Sequence, residues 1–120
     1  MHKHDELVAD YLAAWNRTDP TARRTALAEI WADDGVYTDP MGVAKGLEEI
    51  DATIAAVQGQ FPGLVFTLAG PVDAHHDIAR FTWELGPAGG EALVVGFDVA
   101  VFTREGRISR VHGFLDKIPG

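Results

Sequence analysis

A single carboxylate lies in the middle of the most apolar segment of the chain. Residues 91–102 read EALVVGFDVAVF, so Asp98 has apolar neighbours on both sides. An ionised carboxylate is costly to bury without a partner. Asp98 therefore pairs with an arginine from a neighbouring strand, lies at a bend that water reaches, or is a carboxyl that faces a ligand in a pocket. We favour the last interpretation.

Asp39 and Tyr11 are two further side chains that could do chemistry. Asp39 lies in the segment YTDPMG, between a short strand and a turn. An Asp before Pro is also a common turn residue. Tyr11 lies on the apolar face of a helix, where a buried Tyr usually keeps its hydroxyl on a partner. Taken alone, these two residues are more simply explained by a turn and by core packing.

The histidines do not form a metal site by their spacing. His75 and His76 are adjacent in a predicted strand, so their side chains point to opposite faces and cannot both bind one ion. The chain also has no cysteine, which removes thiolate metal sites, disulfides and Cys nucleophiles. We predict no metal and no cofactor. His76 is a candidate for a pocket wall, and His75 or His112 could take that place.

The elements that position these residues are three helices followed by a run of strands. Helical spacing of apolar residues predicts helices over residues 5–16, from Pro20 to Gly35 and from Leu47 to Gly59, with a short strand at 36–39. From Phe61 the period becomes two, which predicts strands over residues 64–68, 72–76, 78–85, 91–103 and 107–117. This order predicts an α+β fold, a curved, mainly antiparallel sheet with helices on one face.

Length and charge exclude several classes of protein. The chain has 120 residues with 10 Lys and Arg against 18 Asp and Glu, a formal net charge of −8. The length predicts one domain over residues 1–120. Nucleic acid is excluded as a partner, because its binding needs a basic face. No apolar run reaches the ~18 residues of a membrane span, and the N-terminus leads into no signal core, so we expect a cytoplasmic protein without a membrane partner.

Three segments together resemble ketosteroid isomerase in residue type, order and spacing: YLAAWN at residues 11–16, DPMG at 39–42 and FDVAVF at 97–102. A fourth, WADDGVY at 31–37, resembles the passage from helix to strand in the wider group with the nuclear-transport-factor-2-like (NTF2-like) fold. The resemblance covers roughly residues 5–117 and includes the SnoaL-like polyketide cyclases. It implies a cone-shaped sheet that holds three helices.

The resemblance also implies a site. Asp39 matches the isomerase's general base, and Tyr11 and Asp98 match its two oxyanion-hole donors. The base takes a proton α to a carbonyl, and the donors stabilise the charge that develops on oxygen. A carboxyl can donate only if an apolar site keeps it protonated, of which that isomerase is itself the known example. The expected pocket wall comprises Trp15, Phe81, Trp83, His76, Phe102 and Val111.

The resemblance thus implies a cofactor-independent isomerase or cyclase that acts on a small hydrophobic carbonyl compound. A non-catalytic protein of the same fold, which binds a small apolar ligand or dimerises, is the second interpretation. A third is an epoxide hydrolase, which would need a water-activating set such as Asp98, Arg80 and Asp116. The chain has only two tyrosines. The isomerase carries an additional tyrosine on its third helix, and the matching position in this chain is Ile54.

The long strand also predicts a homodimer. If Asp98 points toward the helices, then Phe97, Val99 and Val101 point away from them. Three such apolar positions form a patch that a monomer rarely leaves in water.

Overall fold

Three helices and seven strands make up the fold. The structure is a computed structural model and describes residues 3–119. The helices are α1 (Lys3–Asn16), α2 (Pro20–Ile30) and α3 (Gly46–Gln60). The strands are β1 (Trp31–Asp39), β2 (Gly42–Lys45), β3 (Val65–Leu68), β4 (Asp73–His75), β5 (Ile78–Gly86), β6 (Val94–Phe102) and β7 (Ile108–Lys117). The α+β class is therefore confirmed.

The strands form one mixed sheet in the order β2-β1-β7-β6-β5-β3, and β4 pairs with β5. The β1–β7 pair is parallel and the other pairs are antiparallel. Along β6 the residues alternate between buried and half-buried, as expected when helices cover only one face. The hydrophobic core lies between that face and the helices.

The predicted boundary between α2 and β1 was wrong. We expected α2 to continue to Gly35, but it ends at Ile30 and β1 begins at Trp31. The apolar pair Ile30 and Trp31 extends the helical spacing, yet Trp31 has extended backbone and pairs with Ile108 of β7. Tertiary strand pairing overrides local helical periodicity here. Hairpin strand β2 was not predicted, whereas β3 to β7 agree with the predicted strands within three residues.

Side-chain contacts fix the helices against each other and against the sheet. Helix α2 begins at Asp19, whose carboxylate accepts a hydrogen bond from the Ala22 N–H at 2.8 Å, a favourable N-cap. The buried Arg23 of α2 pairs with Asp51 of α3. Asn16, at the end of α1, exchanges two hydrogen bonds with the Phe66 backbone, at 2.9 and 2.7 Å. These contacts hold the helices at a set distance from the strands.

No helix within residues 3–119 is long and apolar enough to cross a membrane.

Candidate active site

A cavity of about 490 Å³ lies between the sheet and the C-terminal halves of α1 and α3. That volume is within the range of small-molecule sites. Most of its wall is apolar, and its polar side chains are few. The lining residues from the helices and the chain just after α3 are Tyr11, Leu12, Trp15, Val57, Gln60 and Phe61. Those from the strands and their flanking segments are Tyr37, Asp39, Met41, Phe66, Trp83, Leu85, Val94, Asp98, Leu115, Ile118 and Pro119.

Asp98 lies in the deep part of this cavity and is only 2% exposed. Its Oδ2 accepts a hydrogen bond from the Tyr11 hydroxyl at 3.1 Å. Its Oδ1 has no hydrogen-bond partner among the residues that the structure describes. Burial raises the pKa of the Asp98 carboxyl to about 7, although the Trp83 indole and the Tyr11 hydroxyl hold it down in part. Asp98 Oδ1 thus borders the cavity without a full hydrogen bond, and the Trp83 indole and the Tyr11 hydroxyl are the polar side-chain groups that stabilise its charged form.

Asp98 has neither an arginine partner nor access to bulk water. Arg80, on neighbouring strand β5, is exposed and bonds Asp73 at 2.9 Å. Asp98 is one of the buried positions of β6 and faces the helices, whereas the half-buried residues on either side of it face the opposite surface of the sheet. Of the three explanations that the sequence allowed for Asp98, the structure matches the carboxyl in a pocket.

Asp39 lines the same cavity at the end of β1. Its Oδ2 accepts a hydrogen bond from the Tyr37 hydroxyl at 2.9 Å. Its Oδ1 accepts from the backbone N–H groups of Met41 at 2.8 Å and Gly42 at 3.2 Å. The turn residue that the DPMG segment suggested is thus present, and the same turn points a carboxylate at the cavity.

Tyr37 is the partner that the sequence reasoning missed. Residues two apart on a strand share a face, so the spacing of Tyr37 and Asp39 could have revealed their contact. The two tyrosines of the chain thus each donate to one of the cavity's two carboxylates. Burial raises the pKa of Tyr37 and of Tyr11 well above the usual range, and the nearby carboxylates add to this. Both hydroxyls remain protonated donors at ordinary pH.

Gly113 lies beside both Asp98 and Asp39. It pairs with Asp98 across the β6–β7 ladder. A Cβ on this glycine would lie 2.9 Å from Asp98 Oδ1 and 3.5 Å from Asp39 Cβ. Both acids therefore border the same small space above Gly113, and the absence of a side chain there keeps Oδ1 accessible. Sequence reasoning gave no signal for this role.

Substitution of Gly113 by Ala is expected to destabilise the protein by about 1–3 kcal/mol, as overpacking of a buried site does. The new methyl group would press on Asp98 Oδ1 and would lie 3.3 Å from the Thr38 carbonyl oxygen. Gly59→Ala is the control, because a Cβ there meets nothing within 4 Å and Ala favours a helix by about 0.5–1 kcal/mol. Urea unfolding measures both. Equal stabilities for Gly113→Ala and the wild type would contradict the close approach.

Two of the six residues predicted for the pocket wall border the cavity. Trp15 and Trp83 line the cavity. Phe81, Phe102 and Val111 were wrongly placed there, since they are buried in the core and do not border the cavity. They share the inner face with Trp83, but the cavity extends toward the start of β6 and the end of β7, and Phe81 packs against Tyr11 with a ring-centre distance of 5.9 Å.

No histidine lines the cavity within the described part of the chain. His76 was wrongly predicted as pocket wall, because it is exposed in the turn between β4 and β5 with a φ of 52°. His75 and His112 are exposed as well. No group of three or more His, Asp or Glu among residues 3–119 could hold a metal ion.

The three residues considered for water activation in an epoxide hydrolase, Asp98, Arg80 and Asp116, do not lie together in the structure. Asp98 lines the cavity, whereas Arg80 and Asp116 are exposed outside it. With no arginine between two acids, the water-activating arrangement that we considered does not form.

Sequence and structure comparisons show which known proteins this chain is similar to. A sequence model described as a SnoaL-like domain matches residues 8–111. A solved SnoaL-like family protein of Agrobacterium tumefaciens, provisionally named an isomerase, is 40% identical, with a TM-score of 0.91 over 97% of this chain and 99% of that chain. No curated protein matches the sequence significantly.

Two more distant structures share the fold alone. A SnoaL-like protein of Jannaschia sp. CCS1, provisionally named a polyketide cyclase, is 17% identical, with a TM-score of 0.77 over 95% of this chain and 85% of that chain. An NTF2-like protein of unknown function from Cytophaga hutchinsonii is 15% identical, with a TM-score of 0.67 over 97% and 91%. With the family match over most of its length, the chain belongs to the SnoaL-like family.

Proposed function

We propose that the protein is a cofactor-independent isomerase or cyclase that moves a proton α to the carbonyl of a small hydrophobic compound. The observation that carries the proposal is the Asp98 carboxyl, which is buried in an apolar cavity with Oδ1 unpartnered. A protonated carboxyl there would donate a hydrogen bond to a carbonyl oxygen. Asp39 borders the same space and would act on the adjacent carbon.

In the proposed reaction the Asp39 carboxylate takes a proton from the α carbon, and the electron pair of that C–H bond moves toward the carbonyl oxygen. The Asp98 Oδ1–H group donates to that oxygen as its charge grows, which lowers the barrier. For isomerisation of a β,γ-unsaturated carbonyl compound, Asp39 then returns the proton to the γ carbon of the dienolate, and the double bond shifts into conjugation with the carbonyl. For cyclisation, the enolate carbon instead attacks a second carbonyl of the same substrate, and the alkoxide that forms takes up the proton held by Asp39.

The two tyrosines have supporting roles in this proposal. The resemblance implied that Tyr11 donates directly to the oxyanion, but its hydroxyl is committed to Asp98 Oδ2 in the structure. Tyr11 therefore acts through Asp98, because its bond to Oδ2 leaves the acid proton to Oδ1. Tyr37 holds the Asp39 carboxylate by its bond to Oδ2. Both are positioning residues.

A non-catalytic ligand-binding protein is the second candidate, and one observation favours it. Both oxygens of Asp39 accept hydrogen bonds, from Tyr37, Met41 and Gly42. A turn carboxylate with all three contacts is explained by structure alone. In that case the cavity would bind a ketone and leave its α protons in place.

Exchange of α protons separates the two candidates. Cyclohexanone in heavy water is a simple probe, because its α protons disappear from the proton NMR spectrum as deuterium replaces them. Binding is followed separately by the fluorescence of Trp15 and Trp83, which line the cavity. An enzyme accelerates the exchange above the buffer rate. Binding without acceleration would refute catalysis and support the second candidate.

We also propose that the protein forms a homodimer through the outer face of the sheet. Phe97, Val99 and Val101 lie there half-buried, and Phe114, which pairs with Phe97, is 57% exposed. An apolar patch of this kind is typical of an interface. A two-fold dimer is the commonest arrangement that covers such a patch.

Light scattering at about 50 μM is expected to give the mass of two chains, since obligate interfaces of this kind are stable at that concentration. Phe114→Glu puts a charge into the patch and is expected to give the monomer mass. Leu68→Glu is the control, since Leu68 is 42% exposed on β3 at the far edge of the sheet. A monomer mass for the wild type would refute the dimer.

A further inference from the structure

The cavity has a buried polar end and an exposed apolar end. Tyr11 and Asp98 at the deep end are each 2% exposed. Met41 and Ile118, which line the same cavity, are 84% and 65% exposed. They are the two most exposed large hydrophobic residues in the described part of the chain. These two residues, which we call the apolar rim, therefore mark the mouth.

The cavity wall contains no cationic side chain. Of its described lining residues none is Lys, Arg or His, whereas two are acids. The chain as a whole carries a formal charge of −8. A ligand with a carboxylate or phosphate in the cavity would have to lose its hydration with no countercharge in return. The wall thus favours an uncharged ligand.

The rim is tied to the proposed base through the backbone. The Met41 N–H donates to Asp39 Oδ1 at 2.8 Å, so the residue at the mouth also orients the carboxylate. A ligand that packs on the Met41 side chain would order this turn and, with it, Asp39. Ile118 follows β7, the parallel neighbour of β1 in the sheet, so a ligand on both rim residues would bridge two separate segments of the chain.

From these observations, and resting on the proposed function, we infer that the substrate is an uncharged ketone with an apolar substituent remote from the carbonyl, which leaves the cavity between Met41 and Ile118. The carbonyl lies at Asp98, and the substituent covers the rim. The alternative occupant of the rim is a second copy of the chain, which the test below separates.

The probes are 4-n-alkylcyclohexanones with tails from methyl to octyl, and binding is measured by tryptophan fluorescence. For the wild type, each added methylene is expected to strengthen binding about two- to fourfold, as burial of apolar surface predicts. In the double variant Met41→Ser and Ile118→Ser, the outermost methylenes of the tail no longer contact apolar side chains at the mouth, so they no longer increase the affinity. The octyl ketone is then expected to bind at least about tenfold more weakly than to the wild type, and the methyl ketone equally well.

Val43→Ser with Leu93→Ser is the matched control, because these residues are 56% and 43% exposed but do not line the cavity. The control is expected to keep the full dependence on tail length. A tail that ends in a carboxylate is expected to bind more weakly than the alkyl tail of equal length.

Each result decides between the interpretations. If the methyl ketone binds and longer tails add nothing, or if the rim variant matches the control, the inference on the substrate is wrong and the proposed function stands. If no ketone of the series binds, the proposed function fails and the inference fails with it. If the rim variant loses mass in light scattering and the control does not, the rim is a contact between copies, and the inference is overturned.

Discussion

Replacement of Asp98 by Asn is expected to stabilise the protein by up to about 4 kcal/mol at pH 8 relative to its effect at pH 4. The pKa of the carboxyl is about 7 in the folded state against a usual value of 3.8, because burial disfavours the charged form. Asn resembles the protonated acid in shape and in its ability to donate, but it cannot ionise. The mutant therefore avoids the cost of a buried negative charge.

The direction follows from proton linkage. The folded pKa lies above the unfolded one, so between the two values the folded state binds more protons than the unfolded state. The contribution of Asp98 to stability is thus fully present below about pH 4 and is lost as the pH rises through about 7. Above both values the loss is complete, and the wild type is at its greatest disadvantage.

Urea unfolding of both proteins at pH 4, 6 and 8 measures this effect. Asp73→Asn is the control, because Asp73 is exposed and bonds only the exposed Arg80, a type of pair that contributes little. If the stability of Asp98→Asn relative to the wild type instead falls from pH 4 to pH 8, Asp98 is ionised and stabilising in the folded protein. Its role as a neutral donor would then be excluded.

Replacement of Asp39 by Asn is expected to slow α-proton exchange of a bound ketone by about 100- to 10,000-fold, the usual contribution of a general base. The Asn side-chain oxygen can still accept from the Met41 and Gly42 backbone, which keeps the turn. What is lost is the carboxylate that takes the proton. Ligand affinity is expected to stay nearly unchanged, so the effect falls on the rate and not on binding.

Asp34→Asn is the matched control, because Asp34 is exposed on the same strand and does not line the cavity. Exchange is followed by NMR with the ketone at saturating concentration, and binding by tryptophan fluorescence. Equal exchange in Asp39→Asn and the wild type would remove Asp39 from the mechanism.

The sequence was most informative where an ionisable residue lies in an apolar segment. Asp98 interrupts an apolar strand, and it lies buried at the cavity as that position predicted. The contact between Tyr11 and Asp98 joins residues 87 positions apart, so no local pattern contained it. The resemblance assigned both residues to one site as separate donors to a substrate oxygen, but it did not predict the hydrogen bond between them.

The sequence was least informative about position along a strand. Alternation correctly put Phe81 and Trp83 on the inner face, but only Trp83 reaches the cavity. Which end of a strand borders a cavity depends on where the helices pack, and periodicity does not contain that information. The apolar rim was missed for a related reason, since exposure of Met41 and Ile118 depends on the shape of the mouth.

The parallel pairing of β1 with β7 has a consequence for the folding kinetics. Tyr37 lies beside Val111 in this pair, so the strand that carries Asp39 meets its partner only after the chain has been synthesised as far as β7. Contacts between such distant segments require costly loop closure and slow the search for the native state. We expect β1 and β2 to be incorporated late, and the two carboxylates to meet only in the last step of folding.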